Sequence, residues 1–285
     1  MCTCGALVTK DREGQPIILL CKTQDFYESG YWHGKVSHPN GVSMVGCGVV
    51  SQIGINSGMN DKGLAVLLSF LDYRGPFETL ESQDIPSKWH NDDRALINAQ
   101  LLARCSSVEE ALDFLYEQIP RYPHIPGGNH MLADQRGNLA VFEHCAGEMN
   151  HRYYSEEGFV ARGNNGFLVK KGEQDQLPDR VKQDRERRYF KMESVLKAII
   201  KDSLKQAEIL EALKQALASH DYHYDGQVGS ICIHDQTLPG ARASTHVPMT
   251  TITAIIFNVL EKKMYYTTAP PCQGDWFTMG MEHGR

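Results

Sequence analysis

Apolar positions fall into short runs near both ends of the chain, with helical stripes between them. CGALVT at 4–9 and PIILLCK at 16–22 have strand length and are split by the polar stretch Lys10-Asp11-Arg12-Glu13-Gly14. This pattern predicts a hairpin that begins almost at residue 2. Further strand-like runs lie at 44–53 and 63–70, joined by sequence rich in Gly, Asn and Ser from Gly54 to Gly63. Ala95, Leu96, Ala99, Leu102 and Ala103 then recur at helical spacing over 92–104. Ser107 with Glu110 reads as a capping box, and Val108, Ala111, Leu112 and Leu115 form one face of the helix it opens. Residues 130–135 and 138–143 read as a second hairpin, followed by strand pieces at 150–155 and 158–162. A charged helix is predicted over 178–201 and another over 205–218, then strands at 229–234, 251–259 and 263–268. Strands and helices in blocks predict an α+β fold of antiparallel sheets covered by helices, not an alternating βαβ order. No repeat or linker divides the chain, so a single domain over 1–285 is expected.

Composition narrows the function classes. Hydrophobic residues make up 41% and charged residues 22%, with a net charge of −6. A basic surface for general nucleic-acid binding is therefore not expected. No apolar run reaches the ~20 residues that span a bilayer. Met1-Cys2-Thr3-Cys4 carries no basic segment or long apolar core of a secretory signal, which sets a cytoplasmic expectation. Eight cysteines are scattered along the chain, unlike the disulfide framework of a short secreted domain.

Cys2 carries the chemistry that changes the picture. Removal of Met1 would expose a thiol and an α-amine on one residue. With reference pKa values of about 7.7–8.0 for the amine and about 8.5 for the thiol, the amine can serve as general base without a histidine. The residues alone leave other readings open. Cys2 could be a start-codon neighbour without a role, and Cys2-x-Cys4 could ligate a soft metal, although no second pair stands at ligand spacing. Asp25 could be a turn carboxylate, Asn164 a turn residue, and the arginines around 185–188 a solvated helix face. His220-Asp221-Tyr222-His223 could suggest a metal, but shows no third or fourth ligand and reads as a solvated loop. No metal or organic cofactor is expected.

The ordered set of motifs resembles the linear-amide hydrolases of the N-terminal nucleophile superfamily, which include choloylglycine hydrolases, penicillin V amidases and isopenicillin-N acyltransferase-like proteins. The set comprises Met1-Cys2-Thr3, Lys22-Thr23-Gln24-Asp25-Phe26, Gly58-Met59-Asn60-Asp61-Lys62-Gly63-Leu64, Gly163-Asn164-Asn165, the arginines 185, 187 and 188, and Pro270-Pro271-Cys272. The resemblance implies an αββα sandwich of two antiparallel sheets between helical layers. It implies Cys2 as nucleophile, Asp25 as the carboxylate that orients the amine, and Asn164 as an oxyanion donor. Lys22 stands where the family has Arg. Ser69 is the position nearest a further family Asn. Arg188 best matches the site arginine, with Arg185 and Arg187 as alternatives. Ser69, Asn60 and Trp32 are candidate substrate-binding positions, although Asn60 and Gly63 also read as turn residues; Tyr31, Phe70 and Trp89 are further candidate pocket aromatics. The implied activity is cleavage of a linear non-peptide amide through an acyl thioester, or transfer of the acyl group to an amine. The alternative of another class is a non-catalytic protein on the same fold. The expected partner is a small N-acyl amide, with no nucleic acid or membrane partner; a homo-oligomer is compatible with the sequence.

Overall fold

A computed structural model describes residues 2–26, 30–50, 52–71, 92–122, 125–169, 179–221, 228–235 and 249–281. Thirteen described strands form two sheets. The first runs in the order β10(Phe159–Arg162), β1(Cys4–Lys10), β2(Pro16–Phe26), β11(Thr250–Asn258), β12(Lys263–Thr267), β13(Trp276–Gly280). The second runs in chain order from β3(Tyr31–Ser37), β4(Ser43–Val49), β5(Ser57–Asn60) and β6(Leu64–Phe70) to β7(Gly128–Asp134), β8(Leu139–Cys145) and β9(Glu148–Tyr153). Every strand pairing is antiparallel. Four described helices cover the sheets: α1(Asp93–Arg104), α2(Val108–Gln118), α3(Asp179–Asp202) and α4(Gln206–Leu217).

Period-two alternation sorts the side chains into three apolar layers. Ala6, Ile18 and Leu20 of the first sheet meet Val45, Met59, Leu67 and Met131 of the second in the central layer. Their neighbours Leu7, Leu19 and Cys21 point outward, against Met192, Leu196 and Leu213 of α3 and α4. Leu64, Val66 and Leu132 point outward from the second sheet, against Leu101, Leu102, Leu112 and Leu115 of α1 and α2. The arrangement is the expected αββα sandwich. Because both faces of β2 are covered, its sequence reads as an unbroken apolar run rather than an alternating one.

Several local expectations need correction. Residues 229–234 form turns and bends rather than a strand. Strands β3, β5 and β13 arise where no strand was expected, since YWHGKVS, SGMN and WFTMG lack a clear period. The Ser107 side chain does cap α2 by accepting from Glu110 N–H, but the Glu110 carboxylate turns to Ser106 N–H at 2.6 Å instead of Ser107, so the box is only half closed. Gly63 adopts φ 82° and closes the β5–β6 turn by donating to the Asn60 carbonyl, a left-handed position suited to glycine. No described helix is long and apolar enough to cross a membrane.

Candidate active site

Strand β1 delivers the start of the chain into the gap between the sheets. Cys4 pairs with Lys22 on one side and Arg162 on the other. Thr3 extends the pairing: its N–H donates to Thr23 Oγ1 at 3.1 Å, and Thr23 N–H donates to the Thr3 carbonyl at 3.0 Å. Cys2 follows as a buried residue of the central layer. Its backbone is held at both ends. The N–H donates to Asn164 Oδ1 at 3.0 Å, and the carbonyl accepts from Arg188 Nη1 at 2.9 Å.

The Asn164 amide has one orientation that satisfies its surroundings. Its oxygen faces two donors, Cys2 N–H and Arg188 Nη2 at 3.3 Å, while its nitrogen faces the Phe70 carbonyl at 2.7 Å. Nδ2 keeps a second hydrogen for another acceptor. Helix α3 supplies the cations. Asp184, Arg185 and Arg188 are buried, and Arg188 Nε donates to Asp184 Oδ2 at 2.9 Å one turn back. Arg185 Nη1 donates to the Asn164 carbonyl at 3.0 Å. Arg187 is half-buried with its side chain beside Gly229. Burial works against the charge of Arg188, but the Asp184 carboxylate, with Asp25, holds its pKa above the ordinary value. Gly5 permits the close approach of α3, because a Cβ there would sit 2.9 Å from Met192 Sδ.

Asp25 lies near the end of β2, buried, and accepts from Thr251 Oγ1 at 2.6 Å. Burial raises its carboxyl above the ordinary carboxylate range, opposed by the N-terminal ammonium and by Arg188. Lys22 projects from β2 into the central layer, in line with Ile18 and Leu20, and is fully buried. Its ammonium crosses to the second sheet and donates to Asn56 Oδ1 at 2.6 Å and to Ser57 Oγ at 3.4 Å. Burial pushes the thiols of Cys4 and Cys47 up, and the charge of Lys22 pulls both back. Tyr31 OH closes this cluster by donating to Cys47 Sγ at 3.5 Å.

The remaining expected residues divide. Ser69 is buried; its hydroxyl donates to the Gly163 carbonyl at 3.1 Å and accepts from Asn129 Nδ2 at 3.1 Å. Asn60 points the other way, into the α1 layer, donating to the carbonyls of Leu102 and Cys105 and accepting from Leu64 N–H. Trp32 likewise packs in the outer layer under α1 and α2, while its neighbour Tyr31 faces the central layer. The structure therefore brings Cys2, Asn164, Arg188 and Asp25 together, with Lys22 and Ser69 around Cys4, and leaves Asn60 and Trp32 on the opposite face of the second sheet. Trp89 lies outside the described residues. Thr3, Asn129, Asp184 and Thr251 were not singled out as site residues by sequence reasoning, since strand register and helix docking, not a local signal, bring them to the site. Asn129 stands directly opposite Ser69 in the β6–β7 ladder, and its buried Oδ1 has no hydrogen-bond partner among the described residues.

Residues 13–244 match the family model of acyl-coenzyme A:6-aminopenicillanic acid acyl-transferase. No curated protein matches the sequence. Among solved structures, a mutant of conjugated bile acid hydrolase from Clostridium perfringens superposes with a TM-score of 0.56 at 17% identity, over 99% of this chain and 94% of that one. Penicillin V acylase from Agrobacterium tumefaciens gives 0.56 at 14% identity, over 98% and 86%. The Caenorhabditis elegans ortholog of N-acylethanolamine-hydrolyzing acid amidase gives 0.52 at 12%, over 90% and 93%. At these identities the superpositions establish a shared fold, that of the N-terminal nucleophile hydrolases. The family model covers most of the chain and rests on sequence, so together they show that the chain belongs to the acyl-coenzyme A:6-aminopenicillanic acid acyl-transferase family.

Proposed function

We propose that the protein is an N-terminal-cysteine enzyme that opens a linear, non-peptide amide through an acyl thioester on Cys2. The observation that carries this reading is the grip on the Cys2 backbone: Asn164 Oδ1 on its nitrogen and Arg188 Nη1 on its carbonyl, inside the sandwich. A buried chain start held by two long-range polar side chains costs conformational entropy that packing alone does not require.

Removal of Met1 converts the nitrogen held by Asn164 into an α-amine. That amine takes the Cys2 thiol proton, directly or through one water, and the thiolate attacks the substrate carbonyl carbon. The second hydrogen of Asn164 Nδ2 and backbone N–H groups receive the oxyanion; one good donor contributes about 3–4 kcal/mol. The α-ammonium returns its proton to the substrate nitrogen as the C–N bond breaks, leaving amine and acyl thioester. Water, deprotonated by the free α-amine, then releases a carboxylic acid; an amine acceptor in its place gives a new amide. Asp25 stabilises the ammonium form, and Arg188 keeps Asn164 and the Cys2 carbonyl in place. Lys22 supplies a fixed positive charge to the thiol cluster from the second sheet. The substrate is a small N-acyl compound.

Intact mass and turnover test this together. The purified protein should have lost one methionine, and a panel of N-acyl amides, run with and without amine acceptors, should yield either acid or transferred amide from a mass-detectable acyl-enzyme. Full activity of protein that retains Met1 would sink the α-amine mechanism.

A further inference from the structure

Behind the first sheet, four potential ligands from three separated segments converge. His220 follows α4, Cys232 and His234 flank Ile233 ahead of β11, and Cys272 lies in the turn between β12 and β13. Their ligand atoms all lie within 4.8 Å of one another. Cys272 Sγ is 3.5 Å from Cys232 Sγ and 3.1 Å from His234 Nε2, and Cys232 Sγ is 3.9 Å from His234 Nε2. A tetrahedral ion with Zn–S near 2.3 Å and Zn–N near 2.0–2.1 Å has ligand–ligand edges of roughly 3.3–3.8 Å. The three distances straddle that range. We infer that His220, Cys232, His234 and Cys272 form a structural zinc site.

Sequence reasoning noticed His220 but paired it with His223, which lies outside the described residues, and so found no ligand set. The fold supplies the missing members and fixes them. Ile231 and Cys232 N–H both donate to the Ser219 carbonyl, next to His220. Ile233 N–H donates to Thr251 Oγ1, and Thr251 N–H donates to the Ile233 carbonyl. Gln273 and Gly274 N–H both donate to the Pro270 carbonyl, shaping the turn that presents Cys272. Two thiolates and two neutral imidazoles in a closed set suit zinc better than harder cations. A divalent ion would displace the thiol protons as it binds. The position also gives the ion a task. Thr251, which holds the segment between Cys232 and His234, donates to Asp25 Oδ1. Zinc here would stiffen the wall behind Asp25 while standing outside the reaction itself. The cluster argument does not depend on the proposed activity.

Protein purified under reducing conditions with zinc in the medium should carry about one zinc per chain by elemental analysis. Replacement by Co²⁺ should give thiolate charge-transfer bands and the intense visible bands of a tetrahedral cobalt site. Cys272→Ser, at an exposed turn, and His234→Ala should each weaken Zn²⁺ binding by more than about 100-fold, beyond what loss of a supporting outer partner costs. Zinc removal should lower Tm in wild type and leave Cys272→Ser unmoved. Zinc-free reduced protein that takes up no Co²⁺, metal content unchanged in both variants, or a native Cys232–Cys272 disulfide in the peptide map would overturn the assignment.

Discussion

At the scale of single residues, the two cysteines nearest the chain start differ in how they are held. Cys2 and Cys4 are both buried beside the same polar cluster, but only Cys2 has its backbone nitrogen held by Asn164. Cys2→Ala should therefore lower kcat/KM by more than about 1,000-fold and abolish acyl-enzyme in the mass spectrum. Cys4→Ala should keep most activity, at a stability cost of about 1 kcal/mol for a small buried deletion. Asp25 permits a sharper test. Its carboxyl is raised by burial, so the folded chain holds that proton to higher pH than the unfolded chain does. The sign follows: Asp25 supports folding below its ordinary range and opposes it as pH climbs through the raised value. Asp25→Asn should then leave the urea midpoint at neutral pH unchanged or higher, while kcat falls more than KM rises. It should also remove an acid limb of kcat/KM that wild type shows above the ordinary carboxylate range. A neutral-pH loss of stability without loss of rate would assign Asp25 a structural role.

Elements explain why those residues meet. Helix α3 was legible because its charged run lasts for several turns, and Arg188 was singled out by the Arg-Tyr step of the family resemblance. Its partner Asp184 was not legible: an i,i+4 Asp–Arg pair on a charged helix reads as solvated until the helix is docked. Docked, Asp184 accepts from Arg188 Nε through one oxygen and from Gly229 N–H at 3.0 Å through the other. Asp184→Ala would leave a buried guanidinium without its carboxylate, and should cost about 3–5 kcal/mol, read as a shift in the urea midpoint. The β1–β2 hairpin was legible for the opposite reason, since its apolar runs and polar turn are local. β5 escaped notice because SGMN has no alternation to detect; neighbours on both sides create that strand. The same blindness hid Asn129, whose place opposite Ser69 is a property of the β6–β7 register. It also misplaced Asn60 and Trp32, which a one-residue change of parity puts on the outer face.

Taken whole, the molecule spends stability between its sheets. Lys22 is a buried cation whose described hydrogen-bond partners, Asn56 and Ser57, are neutral. Lys22→Met, close in length, should leave the urea midpoint unchanged or raise it while slowing turnover, the pattern of a group kept for activity. The second sheet buries another costly pair. His130 Nδ1 meets Asn98 Oδ1 at 2.9 Å, and His130 Nε2 meets His144 Nε2 at 3.2 Å. Burial, with nearby Arg94, lowers His130 to about 3, and burial, with His130 and Arg94, also holds His144 well below its ordinary value. Both are neutral when folded and gain a proton when unfolded. Their contribution is complete above about pH 6.5 and is lost as pH falls, for His130 down to about 3, at about 1.4 kcal/mol per pH unit for each fully titrating histidine. Urea midpoints between pH 7 and 4 should fall steeply, and His130→Gln should flatten that slope. The strand order of the first sheet carries a consequence for the ribosome. β1 lies between β2 and β10, and Cys4 pairs with Arg162. The start of the chain thus emerges first yet cannot take its final neighbours until residue 162 has been made, roughly 10–30 s later at ordinary synthesis rates. During that interval Cys2 is still open to an aminopeptidase; once β10 docks, Cys2 is buried. On the proposed reading, trimming that lags behind translation would leave folded protein without a free Cys2 amine, so the competition between trimming and translation would set the active fraction of each batch.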